Sequence, residues 1–345
     1  MTNDRTDWVD YTKGIGIILV VYGHVARGVF NAGIPMPEPA YLLIDSVIYS
    51  FHMPLFFFLS GLFFFQSLNR RGNKAVIFSK FDTILYPYLL WSLLQGSIEV
   101  ILSSFTNGNV SWYEVLQLLW EPRAQFWFLY ALFFVFIVAT IIYATRAKNY
   151  SELVLLVAAL LYLYPIILPS YYIPFAVSQY LVYFCAGIVF MKHANMNRFS
   201  NLKILLITFI IFVFAQWLFH GYFSFNYTNK GLGTLLLAFV SIAFVISLSG
   251  VLATKSLKWL AFIGAMSMQI YLIHVLVGSA ARVMLNTLFN IQSYSIHLVI
   301  GCIVAIFGSL IAVQIVDKFK IPYLFSAPIS VWVTSRLKKE SNNPS

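Results

Sequence analysis

Six ionisable side chains in or beside apolar runs of this chain are candidates for chemistry. Lys13 and His24 lie in KGIGIILVVYGH. Asp45 and His52 precede PLFFFLSG, Glu99 closes YPYLLWSLLQGSIEV, and His274 ends MSMQIYLIH. Such groups are expensive in hydrocarbon and belong against a polar cavity, where they do chemistry or bind substrate. A neutral imidazole takes a proton from a hydroxyl or attacks as a nucleophile. A carboxylate beside it orients the ring or balances its charge. Lys13 and His24 are eleven residues apart, which on a helix is an offset of ~20° and a separation of ~16 Å, so the two share one face. Asp45 falls seven residues before His52, nearly on one face. His52 lies about eight residues, or ~12 Å, into its run and His274 about fourteen residues, or ~21 Å, into another. The three histidines, with Asp45 or Glu99, therefore converge on one depth if their helices alternate in direction.

The surrounding sequence supplies the helices. Of 345 residues, 60% are hydrophobic and 10% charged, against roughly 25% charged in a soluble domain. No hydrophilic block is long enough for a separate soluble domain. The expectation is a single integral membrane domain over 1–345 with a polar tail at 338–345. The net charge of +10 comes from basic residues between apolar spans. That is a topology signal and not a nucleic-acid footprint. Cys185 and Cys302 both lie in apolar runs, and neither a metal-site spacing nor a disulfide framework follows. The N-terminal MTNDRTDWVD lacks the positive flank of a secretory signal, so the first apolar run is expected to be retained.

A membrane-crossing helix needs about 20 apolar residues. The runs predict an all-α polytopic protein with about ten spans, near 14–31, 44–66, 83–105, 125–145, 152–168, 173–191, 203–220, 232–252, 260–278 and 296–316. Of the 22 Lys and Arg, 18 fall on the termini and one set of loops; Arg27, Arg123, Lys230 and Arg282 fall on the other. Positive charge stays in the cytoplasm, so both termini are expected there.

The motifs resemble the acyltransferase-3 family of membrane O-acyltransferases, in particular its fucose 4-O-acetylase-like branch. The family's first-helix pattern reads here DYTKGIGIILVVYGH, with Asp10, Lys13 and His24. A Phe-rich segment reads FHMPLFFFLSG. A Pro-Tyr segment reads SKFDTILYPYLLW, and a late block reads FIGAMSMQIYLIH. The four occur in order over residues 7–275. Lys13 stands where the family usually has Arg, which keeps the charge and loses the planar fork.

The resemblance implies a multi-pass protein of a bacterial-type inner membrane that transfers an acyl group. The donor would be cytoplasmic acetyl-CoA and the acceptor a saccharide hydroxyl at the cell surface or on a lipid-linked precursor, with no metal. Lys13, Arg70, Arg71, Lys74 and Lys80 are then candidates to hold the CoA phosphates. His24 is the candidate general base or acyl carrier, and Asp45 or Glu99 its partner carboxylate. His52 and His274 would orient the acceptor or stabilise the oxyanion. Gln125, Trp127 and Tyr130, beside Phe126, would line a sugar platform. The runner-up function is a secondary transporter or glycan-lipid carrier, which also places polar groups mid-membrane.

Overall fold

The computed structural model describes residues 7–103, 110–164, 171–194 and 199–331. The tail 338–345 and the basic residues Arg5, Arg198, Arg336, Lys338 and Lys339 lie outside the described residues. Fifteen α-helices carry the fold: α1 Asp7–Asn31, α2 Glu38–Tyr49, α3 His52–Leu62, α4 Phe64–Arg71, α5 Asn73–Lys80, α6 Tyr86–Ile101, α7 Trp112–Leu116, α8 Trp127–Tyr143, α9 Ser151–Leu163, α10 Tyr172–His193, α11 Leu202–Gln216, α12 Leu232–Thr254, α13 Lys258–Ala265, α14 Ser267–Val283 and α15 Tyr294–Lys318. No strand occurs among the described residues.

Consecutive helices join into nine stretches long and apolar enough to cross a membrane, among the described residues. The protein is an all-helical, multi-pass membrane protein. The fifth apolar run of the sequence becomes α9, a shorter apolar helix of 13 residues. The described residues fall into two compact units. The first lies within 7–59, 192–194 and 199–318; the second lies within 60–103, 110–191 and 319–331.

In the first unit, α1 packs against α12, α13, α14 and α15. Small residues make this possible. A Cβ on Gly14 would meet the Leu260 carbonyl oxygen at 2.5 Å, and one on Gly264 would run into the Asp10 carbonyl. With no hydrophobic drive between helices in lipid, such backbone approach is the main source of association. The α13–α14 stretch then follows α1 along its length. Gly264 lies against Asp10 and Gly14, His274 against His24, and a Cβ on Gly278 would be 3.6 Å from Val25. The two stretches therefore run parallel. On the outside of this unit α11 is apolar all round and exposes Leu206, Ile210, Val213 and Phe214, as a lipid-facing helix does.

The second unit is held by an aromatic core. Phe64, Phe136 and Phe184 meet at ring separations of 4.9 to 6.3 Å, and Gly61 lets α3 reach the backbone of Phe184. Pro87 has no N–H for the carbonyl four residues back, and the chain widens into a π-helical turn at Phe81–Leu85. Asp82 in that turn accepts from the Ser330 N–H at 2.8 Å and from its hydroxyl. Trp91 donates to the Leu324 carbonyl at 2.9 Å and stacks on Phe325. These contacts dock residues 324–330 onto α6 and the turn before it.

Candidate active site

In the first unit the ring of His24 faces His274, with centroids 5.2 Å apart. Each ring reaches this point from its own stretch because both are counted from the same crossing, Gly14 with Gly264. His274 is buried, and its Nδ1 lies 3.0 Å from the Ile270 carbonyl and 2.8 Å from that of Tyr271. Carbonyls only accept, so this nitrogen carries the hydrogen. Its Nε2 is buried without a partner. His52, at the start of α3, is likewise buried and has Nδ1 2.8 Å from the Ile48 carbonyl. In their neutral forms both rings thus turn a lone pair, not an N–H, towards any ligand at Nε2. That removes the oxyanion-donor role for the neutral rings and leaves them as acceptors.

Asp45 is occupied by a residue that the sequence reading treated only as a loop charge. Arg27 grips it in a fork, Nε to Oδ1 at 2.8 Å and Nη2 to Oδ2 at 2.9 Å. The guanidinium carbon lies 3.3 Å from the centroid of the Tyr49 ring, and Nη2 also donates to the Tyr227 hydroxyl at 3.0 Å. The Tyr227 N–H donates to Ser46 Oγ at 2.8 Å, which pins residues 223–231 over this cluster. Tyr49 approaches α1 at Gly23, packs edge-on against His52 at 4.5 Å, and buries a hydroxyl with no partner. Arg27 is three residues beyond His24, so the fork lies beside the histidines on the same helix. Lys13, near the N-terminal end of α1, pairs with Asp10 at 3.1 Å, and both side chains are well exposed.

The remaining candidate residues belong to the second unit. Glu99 takes Arg123 Nη2 at 2.8 Å on one oxygen and Gln95 Nε2 at 2.8 Å on the other. Gln125 donates to Gln95 Oε1 at 2.6 Å, and both glutamines are buried. This network closes on itself, as polar groups do when they join helices in a membrane. Tyr130 is buried, with its hydroxyl on the Leu119 carbonyl at 2.6 Å, while Trp127 packs 5.3 Å from Tyr180. Gln125 and Tyr130 are buried and Trp127 is half-buried, so all three take part in helix packing here.

A cavity of about 250 Å³ opens in the same unit between α3–α5 and α8. Arg71 and Lys80 line it with Ser60, Ser67, Ser79 and Phe136. Lys80 points its ammonium at the Phe136 ring, 4.1 Å from the centroid. Arg70 and Lys74 are exposed on the same short helices. The site offers cations, hydroxyls and an apolar wall, which suits a phosphate-bearing ligand with an apolar arm. Among the described residues no group of His, Cys, Asp and Glu is arranged to hold a metal ion.

The model of a family described as an acyltransferase domain, Acyl_transf_3, matches residues 6–314. The chain belongs to the acyltransferase-3 family. Among its relatives are two proteins named nodulation protein NolL. The one from Mesorhizobium japonicum is 29% identical over 147 residues, 41% of this chain and 37% of the relative. The one from Sinorhizobium fredii is 30% identical over 132 residues, 38% of this chain and 34% of the relative. The chain thus spans about a third of the length of these relatives. No solved structure matches.

In this acyltransferase-3 chain the first and last motifs pack side by side, which joins His24 to His274. Three residues of the cluster escaped the sequence reading: Arg27, Tyr49 and Tyr227. A signal existed for Arg27, since i and i+3 on a helix are neighbours and an acid waits at the start of the next span. None existed for Tyr227, whose loop is brought in by Ser46.

Proposed function

We propose that this acyltransferase is an O-acetyltransferase of a bacterial-type inner membrane. It moves an acetyl group from cytoplasmic acetyl-CoA to a hydroxyl of a cell-surface saccharide or its lipid-linked precursor. The observation that carries the reading is the buried histidine cluster of the first unit. His24 holds no hydrogen bond among the described residues, and His274 Nε2 and the Tyr49 hydroxyl in the same cluster are buried without a partner, which leaves polar atoms for a substrate. Gln95, Glu99, Arg123 and Gln125, by contrast, are hydrogen-bonded to one another.

A hydroxyl is a weak nucleophile until a base takes its proton. His24 fills that role, with the proton passing to the departing thiolate when the C–S bond breaks. The net change is thioester plus alcohol to ester plus thiol. Arg71 and Lys80, with Arg70 and Lys74 at the rim, are the donor-phosphate ligands, and Lys13 provides a further cation at the inner end of α1. Both termini are cytoplasmic in this reading, on the strength of the charge distribution.

The test is mass spectrometry of surface glycans from cells with the gene, without it, and with a His24→Ala copy. One added acetyl mass on a defined sugar, present only with the wild-type gene, supports the reading. Identical glycans in all three, together with no CoA release by the purified protein, would reject it.

A further inference from the structure

The chemistry proposed above needs a base whose free nitrogen faces the substrate. An imidazole has two nitrogens, and in its neutral form either can carry the hydrogen. Something must therefore hold the hydrogen of His24 on the far nitrogen. In serine hydrolases a buried carboxylate does this. Here Asp45, the carboxylate held by Arg27 one helical turn beyond His24, has both oxygens in the Arg27 fork.

His274 has the properties of the missing acceptor. Its Nδ1–H is committed to two backbone carbonyls of its own helix, so neither ring flip nor tautomer exchange is free. Its Nε2 must then present a lone pair, and that atom is buried with no partner. A buried polar atom without a partner costs about 1–3 kcal/mol, so its retention calls for a role. The ring whose centroid is 5.2 Å away is His24, which holds no hydrogen bond among the described residues. A nitrogen–nitrogen hydrogen bond of about 2.9 Å fits within that centroid separation after rotation of the His24 ring.

Resting on the proposed function, we infer that His274 is the positioning residue of the base: its Nε2 accepts the N–H of His24 and thereby turns the other His24 nitrogen, as a lone pair, towards the acceptor hydroxyl. When the hydroxyl oxygen bonds to the thioester carbon, its proton goes to that free nitrogen. The resulting imidazolium keeps its second N–H on His274. When the C–S bond breaks, the proton leaves His24 for the CoA sulfur. His274 begins and ends neutral and exchanges no proton with substrate.

The test uses the full-length protein in detergent, with acetyl-CoA as donor and, as acceptor, the glycan fraction that the wild-type protein acetylates. His274→Leu should lower kcat by about 10²-fold, the low end for general-base catalysis, with the KM for acetyl-CoA within twofold. His274→Gln places a carbonyl oxygen where the lone pair was and should recover at least tenfold of that loss. In a His24→Ala background, His274→Leu should cost nothing more, because a residue acting through His24 has nothing left to act on. A merely structural role predicts the opposite: equal loss in both backgrounds and no rescue by Gln. If His274→Leu does not fold, the Gln variant decides. Activity within tenfold of wild type supports the inference, and an inactive Gln variant that still binds CoA overturns it. Full kcat in His274→Leu overturns it while the proposed function stands. No transfer by the wild-type protein with any acetylated fraction overturns both.

Discussion

Asp45→Asn separates two roles that this carboxylate can play, because the structure gives it a partner other than His24. The substitution is nearly isosteric and removes one charge from the fork. Arg27 then stays in place, about two-thirds shielded from solvent, with its side chain 31% exposed and Asp45 at 9%. A pair of charges about 4 Å apart at an effective dielectric of about 20 is worth about 4 kcal/mol. Solvent at the Arg27 end reduces this, and Asn still accepts one hydrogen bond. The cation also keeps its seat on Tyr49. A net loss of about 2 kcal/mol is expected, a fall in melting temperature of roughly 2–4 °C for a chain of this size. The measurement is thermal unfolding of the purified protein in detergent, followed by tryptophan fluorescence. Arg27→Met with Asp45→Leu should recover most of the loss, since an apolar pair leaves no orphaned charge. An unchanged melting temperature in Asp45→Asn would refute the clamp. So would a double variant less stable than either single one.

Gly264→Ala should abolish folding or lower the yield of monodisperse protein severalfold, because its Cβ would run into the Asp10 carbonyl; Gly28→Ala, whose Cβ would meet Arg282 Nε at 3.7 Å, should be tolerated in the same size-exclusion assay. Tyr49→Phe removes a buried hydroxyl that has no partner, so the melting temperature should hold or rise, and a fall of several degrees would show that the hydroxyl is satisfied. Lys80→Ala and Arg71→Ala, which line the cavity of the second unit, should raise the KM for acetyl-CoA by about tenfold, a loss of ~1.4 kcal/mol, with kcat within twofold. A drop in kcat alone would place the donor elsewhere.

Much of the fold was legible because lipid imposes a strict rule: backbone groups must be satisfied within a helix, and the helix must be apolar over the bilayer thickness. Apolar run length therefore located every long helix. The fifth run contains α9, a 13-residue helix, and the end of that run lies outside the described residues. Depth was legible too, since rise per residue is constant. Lys13, His24 and His274 could be placed along the membrane normal by counting, and His24 and His274 do meet.

What counting along a helix cannot supply is which neighbour each side chain faces. That depends on how helices are rotated and how closely they approach, and those follow from small residues meeting across an interface. Gly14 and Gly264 are unremarkable in sequence and set the contact that brings His274 to His24. The same freedom explains the partners that the sequence left open. Asp45 was one of two carboxylates offered to His24, and the fold hands it to Arg27. Glu99 was the other, and it closes a network with Arg123 and Gln95. By itself the sequence determined that this chain crosses the membrane many times and holds ionisable groups at one depth, because transfer free energy depends on composition along the chain. Only the tertiary structure decided which of those groups are satisfied and which, like His274 Nε2, are left without a partner, because a hydrogen bond depends on direction and distance between helices.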